Sequence, residues 1–258
     1  MRKTLMAMTL TSLLMSANAL ALGRLADVQI VDRDSGQTLE THYSRGEYWV
    51  AGRPGARYAI RVTNRSGERL LAVAAVDGVN VISGDTAGFD QQGYIFAPGQ
   101  GYDIDGWRKS QEQVAAFTFT DAGNSYAQRT GRPLNIGVIG VALFGERRPP
   151  QVQLEAPQSQ SRDAWAGRAL GAHAAAAPAP SNEPSARLGT GHGERENSRV
   201  EYASFERDSG EPREVVRIRY DSLENLVAMG VVRRPTPRWP QPQAFPESPG
   251  RFVPDPPG

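Results

Sequence analysis

The chain contains no cysteine, and this absence excludes several kinds of chemistry at once. A thiol nucleophile, a cysteine-ligated metal ion and a thiol redox centre all require Cys side chains. Disulfides, on which many small exported domains depend, are excluded as well. A chain of 258 residues without such crosslinks must therefore hold its fold by burying a core of ordinary domain size.

Histidine is also scarce. His42, His173 and His192 are the only histidines, and no two of them stand at a metal-ligand spacing. The glycine-rich stretch 189–193 resembles a phosphate-binding loop, but such a loop needs a strand before it and a helix after it. We therefore predict a flexible turn at 189–193, and we expect neither a metal site nor a cofactor.

The first twenty-one residues have the pattern of a secretory signal peptide. Arg2 and Lys3 precede an apolar run over 5–15, and small residues stand at the −3 and −1 positions before a cut after Ala21. We expect a periplasmic or secreted protein after cleavage near Ala21. No later apolar stretch reaches about 18 residues, so no transmembrane segment is expected after cleavage.

Charge argues against nucleic acid as the partner. The formal net charge is +1, and removal of Arg2 and Lys3 makes it slightly negative. A protein that binds nucleic acid mainly through phosphates usually carries a clear basic excess.

Short alternating apolar segments dominate the first half of the chain, with Gly, Pro, Asn and Asp between them. About ten short strands at close spacing are typical of an antiparallel sandwich or barrel. We predict a mainly β fold: an antiparallel β-sandwich of the jelly-roll or immunoglobulin-like type. The predicted strands are 26–32, 38–43, 47–51, 57–65, 70–76, 79–82, 93–96, 101–105, 114–120 and 136–144.

Composition divides the rest of the chain. The predicted layout is a signal peptide (1–21), the sandwich (22–156), an Ala/Pro-rich disordered linker (157–187), a small β-β-α unit (188–232) and a proline-rich disordered tail (233–258). In the small unit, strands 199–205 and 214–220 should form a hairpin, followed by a short helix capped by Asp221. Because an isolated hairpin is only marginally stable, we expect this unit to dock on the first domain, a second copy or a partner.

Two carboxylates, Asp103 and Asp105, should lie on one face of an extended segment. Converging carboxylates bind calcium or act as a general acid and base. Asp is also common at strand ends because it favours turns. Since the twelve-residue calcium loop is missing, turn chemistry is favoured and no catalytic residue is assigned.

Loops on a rigid sandwich are the usual place for recognition. Aromatic residues near these loops could stack on sugars, although packing in the core is the commoner use of such rings. Plain turn stabilisation is the alternative use of the loop residues. The predicted ligand-binding residues are Asp77, Asn80, Asp103, Asp105, Trp107 and Arg108.

Two groups of short segments carry a resemblance. The first contains VDGVNV (76–81), GWRKS (106–110) and GVIGVA (137–142); the second contains LGTGHG (188–193), FER (205–207) and YDS (220–222). Both resemble exported proteins of proteobacteria that carry no assigned function. The resemblance implies bacterial export and a two-part layout, and it supplies no catalytic residues.

These observations favour an exported, non-enzymatic binding or assembly protein of the bacterial envelope. Its partner would be an envelope protein or a glycan, and a homo-oligomer stays open. One alternative is a carbohydrate or cell-wall binding module. The other is a hydrolase that uses the paired Asp103 and Asp105.

Overall fold

The computed structural model describes residues 22–148 and 187–233, and this part of the chain forms two facing β-sheets. In chain order the strands are β1 (Ala26–Asp32), β2 (Thr41–Ser44), β3 (Glu47–Gly52), β4 (Arg57–Asn64), β5 (Leu70–Val76), β6 (Val79–Asn80), β7 (Tyr94–Phe96), β8 (Gly101–Ile104), β9 (Gly106–Arg108), β10 (Gln113–Asp121), β11 (Val138–Gly145), β12 (Leu188–Asn197) and β13 (Glu214–Ser222). The helices are α1 (Tyr126–Arg129) and α2 (Leu223–Ala228), with 3₁₀ turns at Ala122–Asn124 and Pro133–Asn135.

The strand order confirms the predicted β-sandwich. One sheet, called sheet A, runs β1-β4-β10-β12, with β8 paired to β4 and β9 paired to β10. The other, sheet B, runs β2-β3-β13-β11-β5-β6, with β7 paired to β5. Every strand pair is antiparallel except β3 with β13, which is parallel.

The core lies between the two sheets and contains the inward residues of the alternating strands. Tyr58 stacks on Phe119 with ring centroids 4.3 Å apart, and the Tyr220 ring of sheet B lies 5.4 Å from Phe119. These rings are fully buried. Buried aromatic side chains contribute more to stability than aliphatic ones because each removes a larger apolar area from water.

Strand β5 is apolar on both faces, as the continuous run over 70–76 predicted. Its outward residue Leu71 forms a second buried cluster with Phe144 of β11. Phe205 packs against this cluster, and the Arg207 guanidinium lies 4.3 Å from the centre of the Phe144 ring. The segment after β12 therefore covers the outer face of sheet B.

The predicted C-terminal hairpin is wrong. Strands β12 and β13 do not pair with each other: β12 joins the edge of sheet A beside β10, and β13 lies inside sheet B between β3 and β11. Each strand therefore finds its backbone partners in the sandwich. The first domain is thus the docking site, one of the three that the sequence left open, and neither a second copy nor a partner is needed to pair these strands.

Two further predictions are wrong, namely the strand at 199–205 and the flexible turn at 189–193. Residues 188–197 form the long strand β12, whereas 198–206 has no regular secondary structure. Glycines alternate along β12, where nearby atoms leave little room for side chains: a Cβ added to Gly189 would lie 2.7 Å from the Ser125 Cβ, and one added to Gly191 would lie 3.2 Å from the Thr120 Cγ2. A Cβ added to Gly193 would lie 2.8 Å from the Ala116 carbonyl oxygen.

Helix α2 begins one residue later than predicted. The Ser222 hydroxyl, not Asp221, caps it by accepting a hydrogen bond from the Asn225 N–H at 3.2 Å. The buried Asp221 carboxylate accepts instead from the backbone N–H groups of Ser222 (2.7 Å) and of Leu188 (3.1 Å). Asp221 thus joins the end of β13 to the beginning of β12.

Within residues 22–148 and 187–233, no helix is long and apolar enough to cross a membrane. The predicted signal peptide and almost all of the predicted linker and proline-rich tail lie outside the described residues.

Candidate functional site

A cleft of about 1180 Å³ lies on the side of the sandwich where β7 forms the edge of sheet B. One wall is the irregular segment 198–207, which we call the crossing segment. It starts at sheet A, where the Val200 N–H donates to the Gln111 carbonyl at 2.8 Å, and it ends at sheet B, where the Arg147 N–H donates to the Glu206 carbonyl at 2.7 Å. The opposite wall is formed by β7, β8 and β9.

Aromatic side chains line both walls of the cleft. Tyr94 of β7 and Tyr102 of β8 face each other with ring centroids 5.7 Å apart, and the crossing segment adds Tyr202 and Phe205. Tyr102 fixes the crossing segment because its hydroxyl lies 2.9 Å from the Ser198 hydroxyl. Tyr202 is 83% exposed, so its ring is available to a ligand.

Arg108 of β9 brings a positive charge into this aromatic region. Its guanidinium donates to the Tyr94 hydroxyl at 3.2 Å, to the Ser198 hydroxyl at 3.3 Å and also to the Ser198 carbonyl. It lies 5.8 Å from the centre of the Tyr94 ring, within the range of a cation–π contact. Its buried Nε–H has no hydrogen-bond partner among the described residues.

The cleft carries an excess of positive charge. Its cationic lining residues are Arg69, Arg108, Lys109, Arg199 and Arg207. Among residues 22–148 and 187–233, Arg69 alone of these has a carboxylate within 4.0 Å, that of Glu146. The acidic lining residues are Asp90, Glu201 and Glu206, and Glu206 is already paired with Arg147. The arrangement can therefore hold an anionic group beside aromatic rings.

The structure does not gather the predicted ligand-binding residues into one site, since Arg108 alone of the six lines the cleft. Asp103 lies opposite Arg61, which donates to both of its carboxylate oxygens at 2.7 Å. Asp105 lies 3.4 Å from Arg33, and burial raises the pKa of its carboxyl in spite of this arginine. Each of the two carboxylates thus has an arginine partner.

Trp107 is only 2% exposed and is part of the core. Its ring packs edge-on against Phe117, with ring centroids 5.2 Å apart. The centroid of the Tyr126 ring lies 4.8 Å from that of Trp107. A sugar cannot stack on a ring covered in this way.

Asn80 is fully buried and stabilises a turn. Its side-chain oxygen accepts from the backbone N–H groups of Ile82 (2.8 Å) and Ser83 (3.1 Å), and its amide donates to the Gln92 carbonyl at 3.2 Å. These contacts already use the side-chain oxygen and the amide of Asn80, which a ligand would need as hydrogen-bonding partners.

Asp77 is fully buried and forms the centre of a polar network in the core. One carboxylate oxygen accepts from the Tyr220 hydroxyl (2.6 Å) and the Gly137 N–H (2.9 Å), and the other accepts from the Thr190 N–H (2.9 Å). The Thr190 hydroxyl lies 2.6 Å from that of Tyr58 and 2.7 Å from that of Tyr220. The network joins β12 to β13, and so joins the two sheets.

Burial controls the electrostatics of this network. It raises the pKa of the Asp77 carboxyl, against the opposing effect of the hydrogen bonds from Tyr220 and the backbone. Burial, together with the nearby Asp77 charge, raises the pKa values of Tyr58 and Tyr220 well above the usual 10.0. None of these side chains lines the cleft, so the network stabilises the fold.

The raised pKa of Asp77 predicts a pH dependence of stability. A carboxyl whose pKa is higher in the folded state than its ordinary 3.8 stabilises the fold fully below pH 3.8, and loses this contribution as the pH rises through the folded pKa. We expect the stability advantage of wild type over Asp77→Asn to shrink as the pH rises from 4. Urea unfolding of both proteins across this range measures it, and an advantage that stayed constant or grew would contradict the raised pKa.

The sequence did not predict the cleft, because half of the cleft wall is formed by the crossing segment. The aromatic residues around Tyr94 and Tyr102 were visible as a cluster. Val200 and Tyr202 alternate with polar residues, and this pattern predicted a strand. An extended irregular segment can have the same pattern, so the sequence did not distinguish the two structures.

No group of three or more His, Asp or Glu side chains in the described ranges is arranged to hold a metal ion. Comparison of the chain with protein families, with curated proteins and with solved structures finds no match.

Proposed function

We propose that the protein is an exported, non-enzymatic binding protein of the bacterial envelope, and that the cleft beside β7 is its ligand site. The observation that carries the proposal is the joint presence, in one large cleft, of tyrosine rings and of cations without carboxylate partners among the described residues. Ligand sites are typically concave and largely aromatic, with a few convergent polar groups. Export rests on the signal-peptide pattern of the sequence.

The other candidates receive less support from the geometry. The C-terminal strands are paired within the two sheets, β12 at the edge of sheet A and β13 inside sheet B, so they offer no free hairpin for docking. Asp103 and Asp105 are engaged by arginines and lie outside the cleft lining, which gives a hydrolytic reaction no obvious substrate position.

The proposal is tested by substituting an exposed ring in the cleft. We expect Tyr202→Ala to weaken ligand binding at least about tenfold, because an aromatic ring on which a ligand packs commonly contributes about 1.4 kcal/mol or more. Since Tyr202 is 83% exposed, the stability of the fold should not change. Binding is measured on arrays of envelope glycans and peptides, and then by calorimetry on the hits.

Tyr43→Ala is the matched control. Tyr43 is 66% exposed and lies on β2, at the edge of sheet B opposite the cleft. Its removal should leave binding unchanged. Ligands that bind equally well to wild type and to Tyr202→Ala, or that lose affinity in Tyr43→Ala, would place the site elsewhere and refute the proposal.

A further inference from the structure

The positive charge of the cleft continues beyond its mouth along β12. Lys109 lines the cleft, and its ammonium lies 5.7 Å from the centre of the Tyr126 ring. His192 of β12 lies on the same ring, with centroids 5.9 Å apart. Tyr126 thus carries a lysine and a histidine at the edge of sheet A.

Two further cations act on this pair. Burial and the charge of Arg195 lower the pKa of Lys109, and burial with the charges of Lys109 and Arg129 lowers the pKa of His192. Lys109 thus lies near Arg195, and His192 lies near Lys109 and Arg129. In residues 22–148 and 187–233 none of the four forms an ion pair with a carboxylate.

The outer face of sheet A is different. There Arg33, Arg57 and Arg61 pair with Glu196, Asp34 and Asp103 at 2.6–3.1 Å. On the outer face of sheet A, nearby carboxylates therefore neutralise the charges of these arginines. In the strip formed by Lys109, Arg129 and Arg195, no cation is paired with a carboxylate of the described residues, so the strip attracts an anionic ligand.

The other polar groups of the cleft indicate what kind of anion fits. Gln92, Gln111, Ser83 and Ser110 supply amides and hydroxyls to the lining, and Asp90 and Glu201 supply carboxylates. Carboxylates accept hydrogen bonds only, so they need a ligand with hydroxyl donors. The backbone of a DNA strand has no free hydroxyl groups to donate to them, whereas a glycan has several on each ring.

We infer that the ligand is an acidic glycan whose sugar rings lie against Tyr102, Tyr202 and Phe205 and whose carboxylates meet Arg108, Arg199 and Lys109. A uronic acid chain combines an apolar ring face, several hydroxyls and one carboxylate in each unit, and each of these features has a counterpart in the cleft. The strip on β12 extends the site for a chain longer than the cleft. This inference rests on the proposed function, because it identifies the ligand of the same cleft.

The test compares oligomers of galacturonate, mannuronate and glucuronate with their methyl esters, which keep the rings and lose the charge. We expect at least one acidic oligomer to bind the full mature chain, and its ester to bind at least about tenfold more weakly, because the ester lacks the charge that strengthens hydrogen bonds to the cations of the cleft. Lys109→Gln and Arg199→Gln should each weaken the acidic oligomer severalfold and leave the ester unchanged. Their melting temperatures should equal that of wild type.

Arg217→Gln is the matched control, since Arg217 is exposed on β13 and lies outside the cleft lining. It should not change binding of the acidic oligomer. Equal affinity for acid and ester, both weakened by Tyr202→Ala, would overturn the acidic-glycan inference and leave the proposed function standing.

Single-stranded DNA and polyglutamate complete the set of probes. Binding of either at the cleft, without binding of any uronate oligomer, would likewise overturn the inference alone. If no probe and no array ligand depends on Tyr202, both the inference and the proposed function fail.

Discussion

A chain that ends at Arg148 should lose the cooperative unfolding transition of the chain that ends at Arg233. The shorter chain lacks β12 and β13, and β13 is an interior strand of sheet B. Without it, β3 and β11 lose their common partner and expose their backbone groups along one edge each. We therefore expect the truncated protein to be aggregated or to lack a defined fold.

The buried surface supports the same expectation. The segment 187–233 contributes five fully or nearly fully buried apolar side chains: Leu188, Val216, Ile218, Tyr220 and Leu226. Burial of each contributes about 1.5–3 kcal/mol. Their sum is similar to the whole net stability of a typical domain, about 5–15 kcal/mol.

The measurement is urea unfolding followed by tryptophan fluorescence and circular dichroism, on chains that begin at Leu22. The chain to Arg233 is the control, since it keeps every described residue and removes only 234–258. A chain of 22–148 with the same midpoint and slope as this control would show that the C-terminal strands are dispensable, in conflict with their place in the sheets.

The individual strands of the first half could be predicted because each carries its own pattern. Strand β1 and strand β5 have the predicted bounds, since alternation in one and a continuous apolar run in the other are local signals. The strand β12 has no such signal. Its glycines remove the hydrophobic alternation, and the neighbours that leave no room there, Ser125 beside Gly189 and Ala116 beside Gly193, lie in a different part of the chain.

Pairing and the site depend on contacts between distant residues, so the sequence contained less information about them. Asp77 looked like a loop residue because Asp followed by Gly favours a turn. Its φ of 53° fits that turn, yet its carboxylate points into the core to partners 113 and 143 positions away. In the same way, the sequence suggested that Trp107 lies at the rim of the sandwich, whereas in the structure the ring of Tyr126 covers it.

Replacement of Asp77 should cause the largest loss of stability of any single polar substitution in the described core. In Asp77→Leu, three donors lose their acceptor: the Tyr220 hydroxyl and the N–H groups of Gly137 and Thr190. Each buried donor without a partner costs about 1–3 kcal/mol. Leucine also tolerates the positive φ of this position less well than aspartate. We expect a loss of more than about 3 kcal/mol, a large fraction of the net stability of a typical domain.

Asp77→Asn is the milder variant, and it separates hydrogen bonding from packing. The amide has one oxygen where the carboxylate has two, so either orientation leaves one backbone N–H, that of Gly137 or of Thr190, facing an NH₂ group. We expect a loss of about 1–3 kcal/mol in the free energy of unfolding. Tyr220→Phe in the same background should cost less than it does in wild type, because the two residues share a hydrogen bond.

Asp85→Asn is the control, since it makes the same chemical change on an exposed side chain in the segment that follows β6. Its free energy of unfolding should stay within about 0.5 kcal/mol of wild type. Wild type, the three single variants Asp77→Asn, Tyr220→Phe and Asp85→Asn, and the double variant are compared by urea unfolding at one pH. If Asp77→Asn matched Asp85→Asn, or if its effect simply added to that of Tyr220→Phe, then the carboxylate would not be what joins β12 to β13, and the two sheets would be held together by apolar packing alone.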